Sequence, residues 1–222
     1  MIPYKDDNPI HIIPVSTVLI LALNMLVFIM QLLSGDDSRS IVYRYGAIPH
    51  NIISFQSNQP IPPVLTIFTS MFMHGGLFHL VWNMLYFWIF ANNIEERLGH
   101  IRFVLFYLFC GVVAAFSHAL LSPGSNIPMI GASGAVSGML GAYILLFPMA
   151  KIRTIIFLGF YVTVVKIPAL IVIGFWAIIQ VVSGLLSPGS ANQGGIAFFA
   201  HVGGFVAGLF TIKLWQPRGY RW

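Results

Sequence analysis

The chain has 222 residues, of which 58% are hydrophobic and 8% charged, with a mean hydropathy of +0.86. Soluble domains carry about 25% charged residues, so a soluble class is excluded and a polytopic, all-α membrane protein is expected. The net charge is +5, yet the basic residues are scattered at the ends of apolar runs and form no stripe, which argues against a nucleic-acid partner. The one cysteine, Cys110, excludes an internal disulfide and a cysteine-rich metal site, and its apolar setting reads as packing.

Six apolar runs read as membrane-spanning helices: residues 12–33, 77–94, 101–121, 134–150, 167–187 and 196–215. They form a core over 12–215, with a short cytoplasmic N-terminus (1–11) and a short cytoplasmic tail (216–222). The N-terminus sets Lys5 against Asp6 and Asp7 and lacks a basic leader region, so no cleavable signal is expected. The first connection, 34–76, contains Pro49, Pro60, Pro62 and Pro63 beside apolar pieces. A loop this long is functional or carries structure of its own. Residues 154–165 are apolar but would span only about 18 Å as helix, against a bilayer core of about 30 Å. They read as an interfacial or packed connection.

Counting Lys and Arg sets the orientation. With the N-terminus cytoplasmic, Lys5, Arg97, Arg102, Lys151, Arg153, Lys166, Lys213, Arg218 and Arg221 lie inside, and Arg39 and Arg44 outside. The second, fourth and sixth runs then all cross from outside to inside. Their starts carry His79 and Asn83, Ser133, and His201 respectively, at similar depth in the outer leaflet.

Ser133 lies in Gly131-Ala132-Ser133-Gly134. A serine among small residues can cap a helix and pack closely; with a base beside it, it can also act as a nucleophile. His201 interrupts an apolar helix, where an ionisable group is costly and a functional candidate. The other reading is a histidine satisfied by a neighbouring helix. Gly134/Gly138 and Gly204/Gly208 form two Gly-x-x-x-Gly pairs, which let helix backbones approach. Packing of the fourth and sixth runs through them would bring His201 towards Ser133. His79 and Asn83, four residues apart, share a helical face. Their N–H groups suit an oxyanion, or equally an interhelical hydrogen bond. His74 lies about one turn earlier and is close enough to take part. His100 and His118 read as interfacial, His11 and His50 as surface groups.

The acids narrow the chemistry. There are six, Asp6, Asp7, Asp36, Asp37, Glu95 and Glu96, and none follows residue 96. A pair of intramembrane aspartates is absent, as is His-Glu-x-x-His. Ala135 breaks the Gly-x-Ser-x-Gly elbow. For a hydrolase, a Ser133–His201 dyad is what remains, with no metal and no cofactor.

Taken together, His79-x-x-x-Asn83, Glu95-x-Arg97-Leu98-Gly99, Gly131-Ala-Ser133-Gly134, Ala200-His201 and the Gly204/Gly208 pair resemble the rhomboid intramembrane serine proteases. The likeness runs from about residue 64 to 208. It implies a six-helix bundle with Ser133 as nucleophile and His201 as general base and acid. It implies an oxyanion site of His79, Asn83 and the Ser133 backbone N–H, and structural roles for Glu95 and Arg97. It also implies a water-filled cavity opening outward in a lipid bilayer. Membrane-protein substrates, single-pass and with small or helix-breaking residues near the cut, would arrive sideways between helices. Some members carry an aromatic residue four positions after the nucleophile, where this chain has Ser137, and a Trp-Arg pair in the first loop, which it lacks. The alternatives are an inactive rhomboid-like binder of membrane helices and a small channel or transporter. The expected location is a prokaryotic plasma (inner) membrane.

Overall fold

The computed structural model describes residues 2–186 and 197–217. Six helices form a bundle: α1 (Val15–Leu33), α5 (Leu77–Leu98), α6 (His100–Leu121), α7 (Ser133–Leu146), α8 (Ala169–Leu186) and α9 (Phe198–Trp215). Four of them, α1, α6, α8 and α9, are long and apolar enough to cross a membrane. Their outward faces are studded with exposed Leu, Ile, Val and Phe, such as Leu19, Leu105, Ile178 and Phe210. That is the inverse of a water-soluble surface and suits lipid contact.

Prolines set several boundaries. α1 starts at Val15, not residue 12, because Pro14 constrains both itself and the residue before it. α7 stops at Leu146, not residue 150, because Pro148 follows. α5 runs past residue 94 to Leu98 and ends at Gly99, whose φ is +77°. Glu95, Glu96 and Arg97 therefore belong to its last turn, not to a connection. Residues 187 and 196, the expected ends of the fifth and start of the sixth run, lie outside the described residues, as does most of the tail 216–222.

α7 is the axis of the bundle. Nearly all of it is buried, and it packs against α5, α6, α8 and, most extensively, α9. Tyr143 of α7 joins Phe87 and Phe90 of α5 and Phe103, Phe106 and Tyr107 of α6 in an aromatic core, all fully buried. Phe90 and Tyr143 meet edge to face at 4.9 Å, a favourable aromatic geometry.

The connection 34–76 folds into a 3₁₀ turn (Gly35–Asp37) and three short α-helices, α2 (Ser38–Tyr45), α3 (Pro49–Ser54) and α4 (Pro63–Ser70). α3 and α4 each have proline at their first turn, where its missing N–H costs nothing.

The bundle is helical as expected, but a three-stranded antiparallel sheet joins it. β1 (Ile2–Asp6) pairs with β2 (Lys151–Leu158), which pairs with β3 (Tyr161–Pro168). Residues 154–165 are thus a hairpin. Their β-branched and aromatic residues favour strand, and Gly159 supplies the positive φ, +62°, of the two-residue turn. Asp7 clamps the sheet, accepting from Arg153 Nε at 2.6 Å and pairing with Lys166 Nζ at 2.8 Å. The hydrogen bonds from Lys166 and Arg153 lower its carboxyl pKa. Asp6 is buried and accepts from the Tyr143 hydroxyl at 2.8 Å. Desolvation raises its pKa, against the opposing pull of that bond.

Candidate active site

Glu95 shows how the opposite end of the bundle is fastened. Its fully buried carboxylate accepts from Ser16 N (2.7 Å), Thr17 N (2.8 Å) and Thr17 Oγ1 (2.7 Å), and it meets His100 Nδ1 at 2.5 Å. An anion is thus seated on the N-terminal amides of α1, where the helix dipole favours it. Arg97 stacks over the Phe147 ring at 5.0 Å. Both residues bind helices together, and neither lines the cavity that holds Ser133 and His201.

At the other end, α5, α7 and α9 all begin near one another. The contact between α7 and α9 is made by backbone. A Cβ on Gly204 would overlap the carbonyl oxygen of Gly134, and one on Gly208 that of Gly138. A Cβ on Gly138 would collide with Cys110 of α6, and one on Gly134 would lie 2.6 Å from Ala114 Cβ. The four glycines therefore hold three helices at a distance no side chain permits. Gly141, not singled out by the sequence, does the same against the Phe205 carbonyl.

This close approach brings two side chains together. Ser133 opens α7, and Ala132, not Ser133, is its N-cap; no side chain caps the helix. The Ser133 Oγ instead lies 2.8 Å from Nε2 of His201, in the first turn of α9. On the far side of the imidazole, Nδ1 lies 2.6 Å from Oε1 of Gln180 on α8. Trp176, one turn before Gln180, sets its ring 6.1 Å from the imidazole at 38°. Ser137 Oγ donates to the Ser133 carbonyl at 2.6 Å, so its hydroxyl bonds within α7.

His79 and Asn83 lie on the facing wall. Gly75 N–H donates to His79 Nδ1 at 3.3 Å, which leaves the ring proton on Nε2. Asn83 Nδ2 donates to the His79 carbonyl at 3.0 Å, and the amide has a second N–H to offer. Gly131 sits between these residues and Ser133. Its φ is +121°, and a Cβ there would lie 2.8 Å from His79 Nε2, so backbone and space both require glycine. The surrounding loop is tied down by Gly131 N–H to Ser70 O (2.9 Å) and by mutual bonds between Ala47 and Met129. Gln31 of α1 anchors the approach to α5, exchanging hydrogen bonds with the His74 backbone at 3.0 and 3.2 Å. His74 itself meets the His79 ring edge-on at 5.1 Å.

Ser133, His201, His79 and Asn83 all line one cavity of about 680 Å³, with Trp82, Tyr86 and Trp176 among its apolar walls. His118, in the last turn of α6, also lines it and is buried. It follows Ala114 by one turn, on the small-residue face of α6 that meets α7 and α9. The sequence passed over Gln180 and Trp176 as well. Their signal was present: two polar-capable side chains four residues apart, on one face of an otherwise apolar helix. A serine hydroxyl hydrogen-bonded to an imidazole, with N–H donors across a cavity, can support nucleophilic attack on a carbonyl.

Fold and site together describe a membrane helical bundle with a serine–histidine pair at one end. A family model for the Rhomboid domain matches residues 63–217, and the chain belongs to the rhomboid family. It is 28% identical over 199 residues to rhomboid protease GluP of Bacillus subtilis, covering 89% of this chain and 34% of that protein. It is 34% identical over 154 residues to RHOMBOID-like protein 6, mitochondrial, of Arabidopsis thaliana, covering 68% and 44% respectively. With the human presenilin-associated rhomboid-like protein, mitochondrial, the identity is 30% over 146 residues, covering 64% and 35%. The chain thus spans less than half the length of these relatives.

Proposed function

We propose that the chain is an intramembrane serine endopeptidase that cuts membrane-protein substrates through a Ser133–His201 dyad. The observation that carries this is the 2.8 Å contact between Ser133 Oγ and His201 Nε2 on the wall of the cavity. His201 takes the hydroxyl proton as Ser133 Oγ attacks the scissile carbonyl carbon. The carbonyl oxygen becomes an oxyanion, which His79 Nε2–H, Asn83 Nδ2–H and the Ser133 backbone N–H stabilise. His201 then gives its proton to the departing amine, leaving an acyl-Ser133 ester. Water, deprotonated by His201, attacks the ester and releases a carboxylate and free Ser133.

The proposed setting is six membrane crossings with both termini cytoplasmic, supported by the nine-to-two distribution of Lys and Arg. α7 has 14 residues, about 21 Å of helix against a bilayer core of about 30 Å. Its serine-bearing start then lies below the outer surface, and the cavity supplies the water that hydrolysis needs. The proposed substrates are single-pass proteins whose transmembrane helix carries small or helix-breaking residues, since an intact helix hides its carbonyls in hydrogen bonds. A prokaryotic plasma (inner) membrane is the proposed location; the match to the Bacillus relative over 89% of the chain supports it.

The test is cleavage of a model single-pass substrate in liposomes by the wild type, Ser133→Ala and His201→Ala. Both variants are expected to fold normally and to lose all detectable turnover. Cleavage that survives Ser133→Ala contradicts the proposal.

A further inference from the structure

We propose that Gln180 is the positioning residue of this site: its side-chain carbonyl accepts the Nδ1–H of His201 and so holds the imidazole in the tautomer whose Nε2 can take the Ser133 proton. This rests on the protease reading above. The imidazole is engaged at both nitrogens, at 2.8 Å to Ser133 Oγ and at 2.6 Å to Gln180 Oε1. A neutral imidazole has one N–H and one lone pair. If Nε2 is to accept from the serine, Nδ1 must donate, and it needs an acceptor in the plane of the ring. Gln180 provides that acceptor, and Trp176, one turn earlier, borders the ring. One face of α8 therefore sets both the tautomer and the tilt of the ring. α7 offers neither, because the Ser137 hydroxyl bonds to the Ser133 carbonyl.

An amide suits this place better than a carboxylate. A charge within an apolar helix is costly, and the chain has no Asp or Glu beyond Glu96. The neutral group brings a weakness, since an amide has two ends. Turned over, its NH₂ would donate to Nδ1, the ring proton would move to Nε2, and Ser133 would lose its base. Gln180 supports attack only with its oxygen towards the ring. A glutamate there can only accept, so Gln180→Glu locks the productive tautomer and also stabilises the imidazolium.

The experiment compares wild type, Gln180→Leu, Gln180→Glu and Ser133→Ala in liposomes with the single-pass substrate, across a range of pH. Gln180→Leu is expected to lower kcat about 10–100-fold, by analogy with the loss on removing the outer partner that orients a metal-bound histidine, with KM unchanged. Gln180→Glu is expected to restore turnover at high pH, with the acidic limb of the profile moved up by about 1–3 pH units. The titratable groups that line the cavity with His201 are His79 and Tyr86 on α5 and His118 on α6. All three are common to every variant, so a limb that moves only in Gln180→Glu reports the His201–residue 180 pair. A second readout needs no turnover: ¹⁵N-histidine spectra, with the His201 signal assigned by its loss in His201→Ala. The wild type is expected to show the Nδ1–H tautomer and Gln180→Leu a mixture. Wild-type kcat and pH profile in Gln180→Leu, or unchanged ¹⁵N shifts, overturn the positioning role. Cleavage persisting in Ser133→Ala overturns the protease reading instead, and the ¹⁵N shifts still decide the role of Gln180.

Discussion

His201 is held between two helices of opposite character. Towards α7 the contact is backbone on backbone, through glycines that admit no Cβ. Towards α8 it is two side chains, Trp176 and Gln180, on a helix in which Ala169, Ile173 and Gly184 are the buried residues. The first contact fixes where the imidazole stands relative to Ser133. The second bears on the state of its ring. A close-packed interface transmits any added atom into helix displacement, whereas a single side-chain hydrogen bond can be lost without moving the fold.

Breaking the α7–α9 contact should have the largest effect. In Gly208→Val the added atoms overlap the Gly138 carbonyl, so the helices must part. Overpacking of this kind costs about 1–3 kcal/mol or more. The expected outcome is a lower Tm together with lost cleavage, read by thermal unfolding and a substrate assay. Normal Tm with normal cleavage would show that the glycine contact does not set the Ser133–His201 distance.

A donor on the opposite wall should matter less. Asn83→Ala removes one of three proposed oxyanion donors and is expected to lower kcat by up to about 10²–10³-fold, about 2.7–4 kcal/mol, with KM and Tm unchanged. Full activity in a His79→Ala, Asn83→Ala double variant would reject that role for the pair.

Much of this end of the molecule was legible in the sequence. Polar residues stand out in apolar runs, and the parity of crossings brings the starts of α5, α7 and α9 to one side. The glycine spacing pointed to the α7–α9 contact because it depends on local helical periodicity. Gln180 was passed over because its one spacing signal, Trp176 four residues earlier on the same face of α8, does not point to a partner 21 residues away. The sheet was hidden for a related reason. β1 is short and lies far along the chain from β2, and Asp6 and Asp7 read as groups that cancel Lys5. In the structure they bond instead to Tyr143 and to Arg153 and Lys166.

The smallest expected effect is therefore at the sheet, remote from the site. Because the Asp7 pKa is lowered in the folded state, its stabilising contribution is complete above the ordinary aspartate value of about 3.9 and is lost as pH falls through its own lower value. Asp7→Asn is expected to weaken amide-exchange protection of β1 and β2 at neutral pH and to remove that acid-sensitive step, with cleavage unchanged. Equal protection in wild type and Asp7→Asn at neutral pH would show that the ion pairs do not hold β1.

The most direct measurement is covalent capture of the nucleophile. A fluorophosphonate reacts with a serine only when a base activates it. After reaction in liposomes, peptide mass spectrometry is expected to find the adduct on Ser133 in the wild type and to find it lost in His201→Ala. An adduct on a different serine, or labelling of Ser133 undiminished in His201→Ala, would contradict the Ser133–His201 dyad.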